Sequence, residues 1–237
     1  MTFKATYLGS NGWIIDFPQC KIIIDPWLEG DLIFPPGEWF FKGSLKKKIV
    51  TPGNIDLILI TQGLPDHCHI PSLLQFSKDI DIICPKTASK LLKENGFNSI
   101  KTISPTEKII IRGLEIEATN GAKVPQTENG YIVETSQGGF YVEPHGYFDK
   151  NIISRKLDAV ITPTKDLSLP LMGEFVRGAK VLPKLINCFN PDYILSSTTG
   201  GDAKFSGLLN NFIKVIDIKE NPGVEIIDLK CMESIMI

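Results

Sequence analysis

The chain reads as an α/β protein (α+β in some schemes), a four-layer αββα sandwich formed by residues 1–237 as one domain. Three observations predict this. The first third and the middle are rich in short strands; each of those stretches is followed by alternating strand and helix; and residues 57–61 form a continuous apolar run, as a strand covered on both faces requires. Two halves with strands inside and helices outside pack naturally as two sheets between two helical layers. A doubly wound sheet is the competing architecture, and the meander in the middle argues against it.

Strands are expected at 4–8, 13–17 and 21–25, β-branched or aromatic runs separated by turn residues. Ser10-Asn11-Gly12 sits where a hairpin turn belongs, because Asn and Gly tolerate positive φ. Residues 29–54, with Pro35-Pro36-Gly37 and Pro52-Gly53, form a long irregular excursion. Its Trp39, Phe40 and Phe41 call for burial, either as a flap over a cleft or, more simply, in a loop packed on the core. Trp13 and Trp27 are read as core or lid aromatics.

The run 57–61 ends directly in Gln62-Gly63-Leu64-Pro65-Asp66-His67-Cys68-His69, and Pro71 opens a helical stretch to about Phe76. Strand 81–84, helix 86–94 and strand 100–103 continue the alternation. Segments 107–111, 114–119, 130–134 and 139–143 read as an antiparallel meander. Strand 159–162 leads into a helix over 173–188, with Pro183 a kink or break. Strand 193–196, a helix over 204–213 and an edge strand over 224–229 complete the chain.

Composition narrows the partners. With 43% hydrophobic and 22% charged residues among 237, the chain can bury a sizeable core without a staple. Its 25 basic and 27 acidic residues are dispersed, so neither nucleic acid nor a membrane surface is expected as partner. Lys46-Lys47-Lys48 reads as a solvated loop. No apolar run has the form of a secretory signal or the length of a bilayer span. Cys20, Cys68, Cys84, Cys188 and Cys231 are scattered without a CxxC pair, so reduced thiols in a cytoplasmic compartment are expected.

The chemistry concentrates in two places. The three histidines, His67, His69 and His145, all lie just past a predicted buried strand and beside acidic residues. Asp66-His67 and Glu143-Pro144-His145 are the two pieces to bring together. Imidazole and carboxylate donors suit zinc, iron or manganese, and three protein ligands leave a position open for water. Ordinary polar residues hydrogen-bonded at strand ends would give the same pattern. Glu143 reads as a general base if burial raises its pKa, or as a salt bridge or cap. Cys68 is a ligand or nucleophile on one reading, and a small buried hydrophobe on the favoured one. Ser196-Ser197-Thr198-Thr199 with Gly200-Gly201 reads as an anion cradle before the helix at 204, or as a capping turn.

The segment Thr61-Gln62-Gly63-Leu64-Pro65-Asp66-His67, preceded by Asp56-Leu57-Ile58-Leu59-Ile60, resembles the T-H-x-H-x-D-H metal motif of the metallo-β-lactamase superfamily. Tyr7-Leu8-Gly9-Ser10-Asn11-Gly12-Trp13 and Ile22-Ile23-Ile24-Asp25-Pro26-Trp27-Leu28 are similar to the opening of its sugar-phosphate lactonase-like branch. The variant motif also resembles a cyanobacterial and plant-plastid group of the superfamily. The resemblance covers most of the chain and implies the αββα fold.

Carried over residue by residue, the resemblance is incomplete. Gln62 and Leu64 stand in place of the family's first two histidines, and no histidine occurs near Asn120-Gly121 for the third. The bridging aspartate aligns with His145, and the final histidine with Ser196-Ser197-Thr198-Thr199. Asp66 and His67 survive and belong to the family's second metal position. The resemblance therefore implies one divalent ion at most, held by Asp66, His67 and His145, and not a dinuclear zinc centre. His69 is new relative to the motif, and its place two residues beyond His67 makes it an added ligand or a supporting partner. Asp25 takes a supporting role.

Two functions follow, and a third stands behind them. The first expectation is a metal-dependent hydrolase of a small-molecule ester, lactone or phosphoester, with Asp66, His67 and Glu143 catalytic. Alternatively, the chain is an inactive binding or regulatory protein that keeps the cleft. Metal-free hydrolysis through Cys68 and a nearby histidine is the third.

Overall fold

Alternation along the strands sorts side chains into three apolar layers, and those layers define the architecture. A computed structural model describes residues 2–170, 173–198, 201, 203–218 and 223–237. Strands Lys4–Gly9 (β1), Gly12–Phe17 (β2), Cys20–Ile24 (β3), Leu57–Leu59 (β6), Asp81–Cys84 (β7), Ile100–Thr102 (β8) and Ser234–Met236 (β20) form one sheet, ordered β20-β1-β2-β3-β6-β7-β8. The second comprises Lys108–Ile111 (β9), Leu114–Lys123 (β10), Thr127–Thr135 (β11), Gly138–Val142 (β12), Ala159–Thr162 (β13), Tyr193–Ser196 (β16) and Glu225–Ile227 (β19), ordered β19-β16-β13-β12-β11-β10-β9.

Each sheet joins an antiparallel meander to a run of parallel strands. In the first, β1, β2 and β3 pair antiparallel and β3, β6, β7 and β8 pair parallel. In the second, β9 to β12 are antiparallel and β12, β13, β16 and β19 parallel. The inner faces meet through Trp13, Ile15, Ile22 and Ile24 on one side and Tyr131, Val133 and Phe140 on the other. Phe140 touches both Phe3 and Phe17, with ring centroids 5.6 and 6.2 Å away. Ile14, Ile23, Ile58 and Ile82 point the other way, against Ala88 and Leu92 of helix Lys86–Glu94 (α2). Ile132, Tyr141, Val160 and Ile194 pack on Val181, Leu182, Leu185 and Phe189 of helix Gly178–Phe189 (α3). This is the αββα sandwich, with strand period two placing successive residues on opposite layers. Among the described residues no helix is long and apolar enough to cross a membrane.

Several expected elements are corrected. Residues 29–54 are not irregular throughout: strands Asp31–Phe34 (β4) and Phe41–Leu45 (β5) pair with each other, and Ala203–Ser206 (β17) completes a small sheet. Trp39 at the hairpin tip is 66% exposed rather than buried, whereas Trp13 and Trp27 are core residues. The helix expected over 204–213 is therefore a strand followed by a 3-10 turn at Leu209–Phe212. Gly207 lies between them at φ +100°, where a Cβ would meet the Phe40 carbonyl at 2.7 Å, so the backbone turns instead of coiling on.

The helix expected from 173 begins at Gly178, because Gly173–Arg177 (β15) pairs with Asp166–Leu169 (β14), which also pairs with Lys214–Ile216 (β18). That helix runs through Pro183. The helical stretch after Pro71 is a single turn, Ile70–Leu73 (α1). At the first hairpin the positive φ values fall on Gly9 and Ser10, which leaves Asn11 free to point its amide into the site.

Candidate metal centre

The first sheet contributes one imidazole, fixed by a carboxylate at the end of the neighbouring strand. Asp25 follows β3 in a left-handed conformation, φ +42°. Its Oδ1 accepts the Thr61 backbone N–H at 2.8 Å, and its Oδ2 accepts the Thr61 hydroxyl. The same Oδ2 lies 2.8 Å from His67 Nδ1. Residues 64–68 form a tight turn in which the Leu64 carbonyl accepts the amides of His67 and Cys68 at 3.0 and 2.7 Å. His67 Nε2 is thereby aimed away from Asp25, 3.3 Å from Asp66 Oδ2.

The second sheet contributes the other imidazole in the same manner. His145 leaves β12 in the Glu143-Pro144-His145-Gly146 turn. Gly146 is required there: its φ is +72°, and a Cβ would lie 2.6 Å from the backbone at Arg177 and Gly178. The His145 carbonyl accepts the Arg177 amide at 2.9 Å, and the Pro144 carbonyl accepts the Thr198 hydroxyl at 2.7 Å. His145 Nδ1 lies 2.8 Å from Oε2 of Glu128, a fully buried carboxylate near the start of β11. Glu128 rests on Gly121, where a Cβ would approach its Cγ to 2.4 Å. The sheets are tied here: the Asn129 amide donates to the Thr61 carbonyl at 3.0 Å, and the Tyr131 hydroxyl to the Ile60 carbonyl at 2.8 Å.

The two imidazoles face each other, ring centroids 5.2 Å apart. Asp66, His67 and His145 each offer a donor atom, all within 4.8 Å of one another, and Glu128, Glu143 and His145 do likewise. Burial works against protonated His67, but the carboxylates of Asp66 and Asp25 outweigh it and raise its pKa well above the usual value. Burial, reinforced by His67, pulls His145 down to about 4. Burial pushes Glu128 up to about 7, against the hydrogen bond from Glu143. It pushes Glu143 well above the carboxylate range, with Glu128 adding to the effect. Burial sets these directions except at His67, where two neighbouring carboxylates outweigh it, and like charges in contact add to the shifts at His145 and Glu143.

This donor set fits a divalent cation. Each histidine sets its Nδ1 against a buried carboxylate, the arrangement by which supporting carboxylates orient metal-binding imidazoles, and His67 turns its Nε2 toward Asp66 Oδ2. Asp66 Oδ1 is buried without a hydrogen-bond partner, a costly state that a bound cation relieves. Asp66, His67 and His145 together are two imidazoles and one carboxylate, a set that suits zinc, iron or manganese.

Other singled-out residues go elsewhere. His69 Nδ1 lies 2.8 Å from the Ser72 hydroxyl at the start of α1, and His69 belongs to neither donor group. Burial lowers its pKa. Gln62 donates to the carbonyls of Val124 and Gln126 at 3.2 and 2.7 Å. Asn120 is bound to Asp149 Oδ2 through both its backbone and its side-chain amide. Glu143 Oε1 accepts the Ala122 amide at 3.3 Å, and Oε2 accepts the Tyr147 amide at 2.5 Å. Cys68 packs in the apolar layer under α2, with its thiol pKa raised by burial.

Ser196 and Ser197 bond Thr164 and Trp13 at 2.9 and 3.0 Å, while Thr199 and Gly200 lie outside the described residues. The expected helix at 204 is a strand, so no helical N-terminus stands behind that run. Glu128 is the site residue that sequence reasoning missed. Its one signal was an acidic residue immediately before the Asn129-Gly130-Tyr131 strand start.

Fold and site together define a two-sheet sandwich with candidate metal-ligand groups at the sheet ends. The sequence matches the family described as Beta-lactamase superfamily domain over residues 4–197. The chain belongs to that superfamily and has its metallo-β-lactamase fold. A curated metal-dependent hydrolase from Thermoplasma acidophilum is 24% identical over 135 residues, 54% of this chain and 54% of the relative. The chain thus spans about half the length of that protein. An isothiocyanate hydrolase from Delia radicum gut bacteria superposes with a TM-score of 0.70, 15% identity and 98% of both chains covered. A possible metal-dependent hydrolase from Veillonella parvula gives 0.68 and 14%, with 100% of both covered. The diiron β-hydroxylase CmlA from Streptomyces venezuelae gives 0.61 and 14%, over 85% of this chain and 45% of its own. At these identities the superpositions speak to the fold.

Proposed function

We propose that the chain is a metal-dependent hydrolase of a small-molecule ester, lactone or phosphoester, working with a single divalent ion held by Asp66, His67 and His145. The observation that carries this reading is the pair of imidazoles whose Nδ1 atoms are engaged by buried carboxylates, facing a carboxylate oxygen that has no partner. A bound ion there supplies Lewis acidity and makes a water ionisable near neutral pH. Asp25 holds His67 in one orientation and tautomer. Asn11 Nδ2, 3.4 Å from His67 Nε2 and 3.3 Å from the Asp66 carbonyl, borders the donor group on the first-hairpin side. Glu143, with both oxygens engaged by backbone amides, fits holding the His145 turn better than abstracting a proton. His69 supports the α1 turn outside the ligand set.

Relatives named as metal-dependent hydrolases agree with this reading. So does the engagement of Gln62 with the 124 and 126 carbonyls, which leaves the family's first metal position without its histidines. The test is elemental analysis of purified protein with turnover on p-nitrophenyl ester, lactone and phosphodiester panels. One equivalent of zinc, iron or manganese is expected, lost in Asp66→Ala and His145→Ala together with turnover. Metal at background in the wild type would sink the proposal. A binding protein that retains the cleft is the second reading, favoured by Gln62 and Leu64 at ligand positions. Metal without turnover on every panel would support it.

A further inference from the structure

Glu128 lies outside the Asp66-His67 and Glu143-Pro144-His145 loops, yet it is fully buried and touches a proposed ligand. It occupies the space beside Gly121, where a Cβ would approach its Cγ to 2.4 Å. The parallel with Asp25 is close. Asp25 comes from the end of a first-sheet strand and engages His67 Nδ1 at 2.8 Å; Glu128 comes from a second-sheet strand and engages His145 Nδ1 at 2.8 Å. Each carboxylate is also held by a backbone amide, Thr61 to Asp25 at 2.8 Å and Ala122 to Glu128 at 3.2 Å.

We propose that Glu128 is the positioning residue for His145, accepting its Nδ1–H and so presenting Nε2 to the ion that Asp66 and His67 share. The proposal rests on the single-ion reading above. It also decides between the two donor groups that meet at His145. With Nδ1 at hydrogen-bonding distance from Glu128, the Asp66 side takes the ion and the Glu128–Glu143 side does not. Glu143 backs Glu128 through a carboxyl–carboxyl hydrogen bond and the Ala122 amide that both accept. Supporting carboxylates of this kind typically change metal affinity by about 10–100-fold.

The experiment uses full-length protein loaded with Co(II), with affinity from calorimetry and proton NMR of the paramagnetically shifted imidazole N–H signals. Wild type should show two exchangeable shifted N–H signals, one from each histidine. Glu128→Ala should weaken Co(II) binding about 10–100-fold and broaden or remove one of the two. Glu128→Gln, which keeps an acceptor oxygen, should stay within a few-fold of wild type and retain both. Unchanged affinity and spectrum in Glu128→Ala would overturn the assignment, as would a wild-type His145 coordinated through Nδ1. If Glu128→Ala does not fold, the wild-type tautomer and the Gln variant still decide. Failure of wild type to bind Co(II) at all is a different result and removes the single-ion reading itself.

Discussion

The two sheets supply the site with matching parts by unlike routes. On the first-sheet side, Asp25, Thr61, Asp66 and His67 lie within one short loop and the strand end beside it, and Asp25 serves three donors at once. On the second-sheet side, Glu128, Glu143 and His145 come from two neighbouring strands and the turn after them, and the glycine at 121 makes room for Glu128. The first half is a hydrogen-bonded knot that also shapes the loop. The second is a pair of carboxylates in contact, costly to bury and held by backbone amides. The comparison teaches that one half is built into the fold and the other is carried by it.

Substitutions can break that contrast. Asp25→Ala should do most damage, because it strands the Thr61 amide and one imidazole N–H in the interior: a loss of about 3–5 kcal/mol is expected by chemical denaturation, with metal binding lost too. Gly121→Ala should cost about 1–3 kcal/mol by the same measurement, since its Cβ must displace Glu128, and Co(II) affinity should fall with it. Asp66→Ala should abolish metal binding and lower the metal-free Tm only modestly, because it removes the Oδ2 contact with His67 Nε2 at 3.3 Å together with an oxygen that has no partner.

A finer contrast lies between two histidines two residues apart. His67 is inside the charge cluster and His69 is bonded to Ser72 outside it. His69→Ala should cost about 1 kcal/mol through the lost hydrogen bond and leave Co(II) affinity unchanged; a tenfold fall would return His69 to the ligand set. The smallest effect concerns Cys68. Its buried thiol should resist iodoacetamide in the native protein at pH 8 and react once denatured, and native labelling that abolished turnover would revive a thiol mechanism.

Much of this was legible in the chain. The continuous run before Thr61, the glycine-bearing first turn and the downstream alternation all pointed to the sandwich. The Asp66-His67 and Glu143-Pro144-His145 turns were recognisable because strand ends punctuated by glycine and proline are local features. The Lys204 region was misread because a short apolar pattern does not distinguish helix from strand, and pairing with β5 decided it. Glu128 escapes a sequence reading because it precedes the apolar stretch that marks the strand expected at 130–134, whereas pairing carries that strand back to Thr127.

By itself the sequence determined the layers, through side-chain alternation, and the two loops rich in histidine and carboxylate. Tertiary structure alone decided which carboxylate serves which imidazole. Asp25 is 42 residues from His67, and Glu128 is 17 from His145. Hydrogen bonds across such separations depend on strand register and on the empty space above Gly121, neither of which is a property of any local stretch of chain.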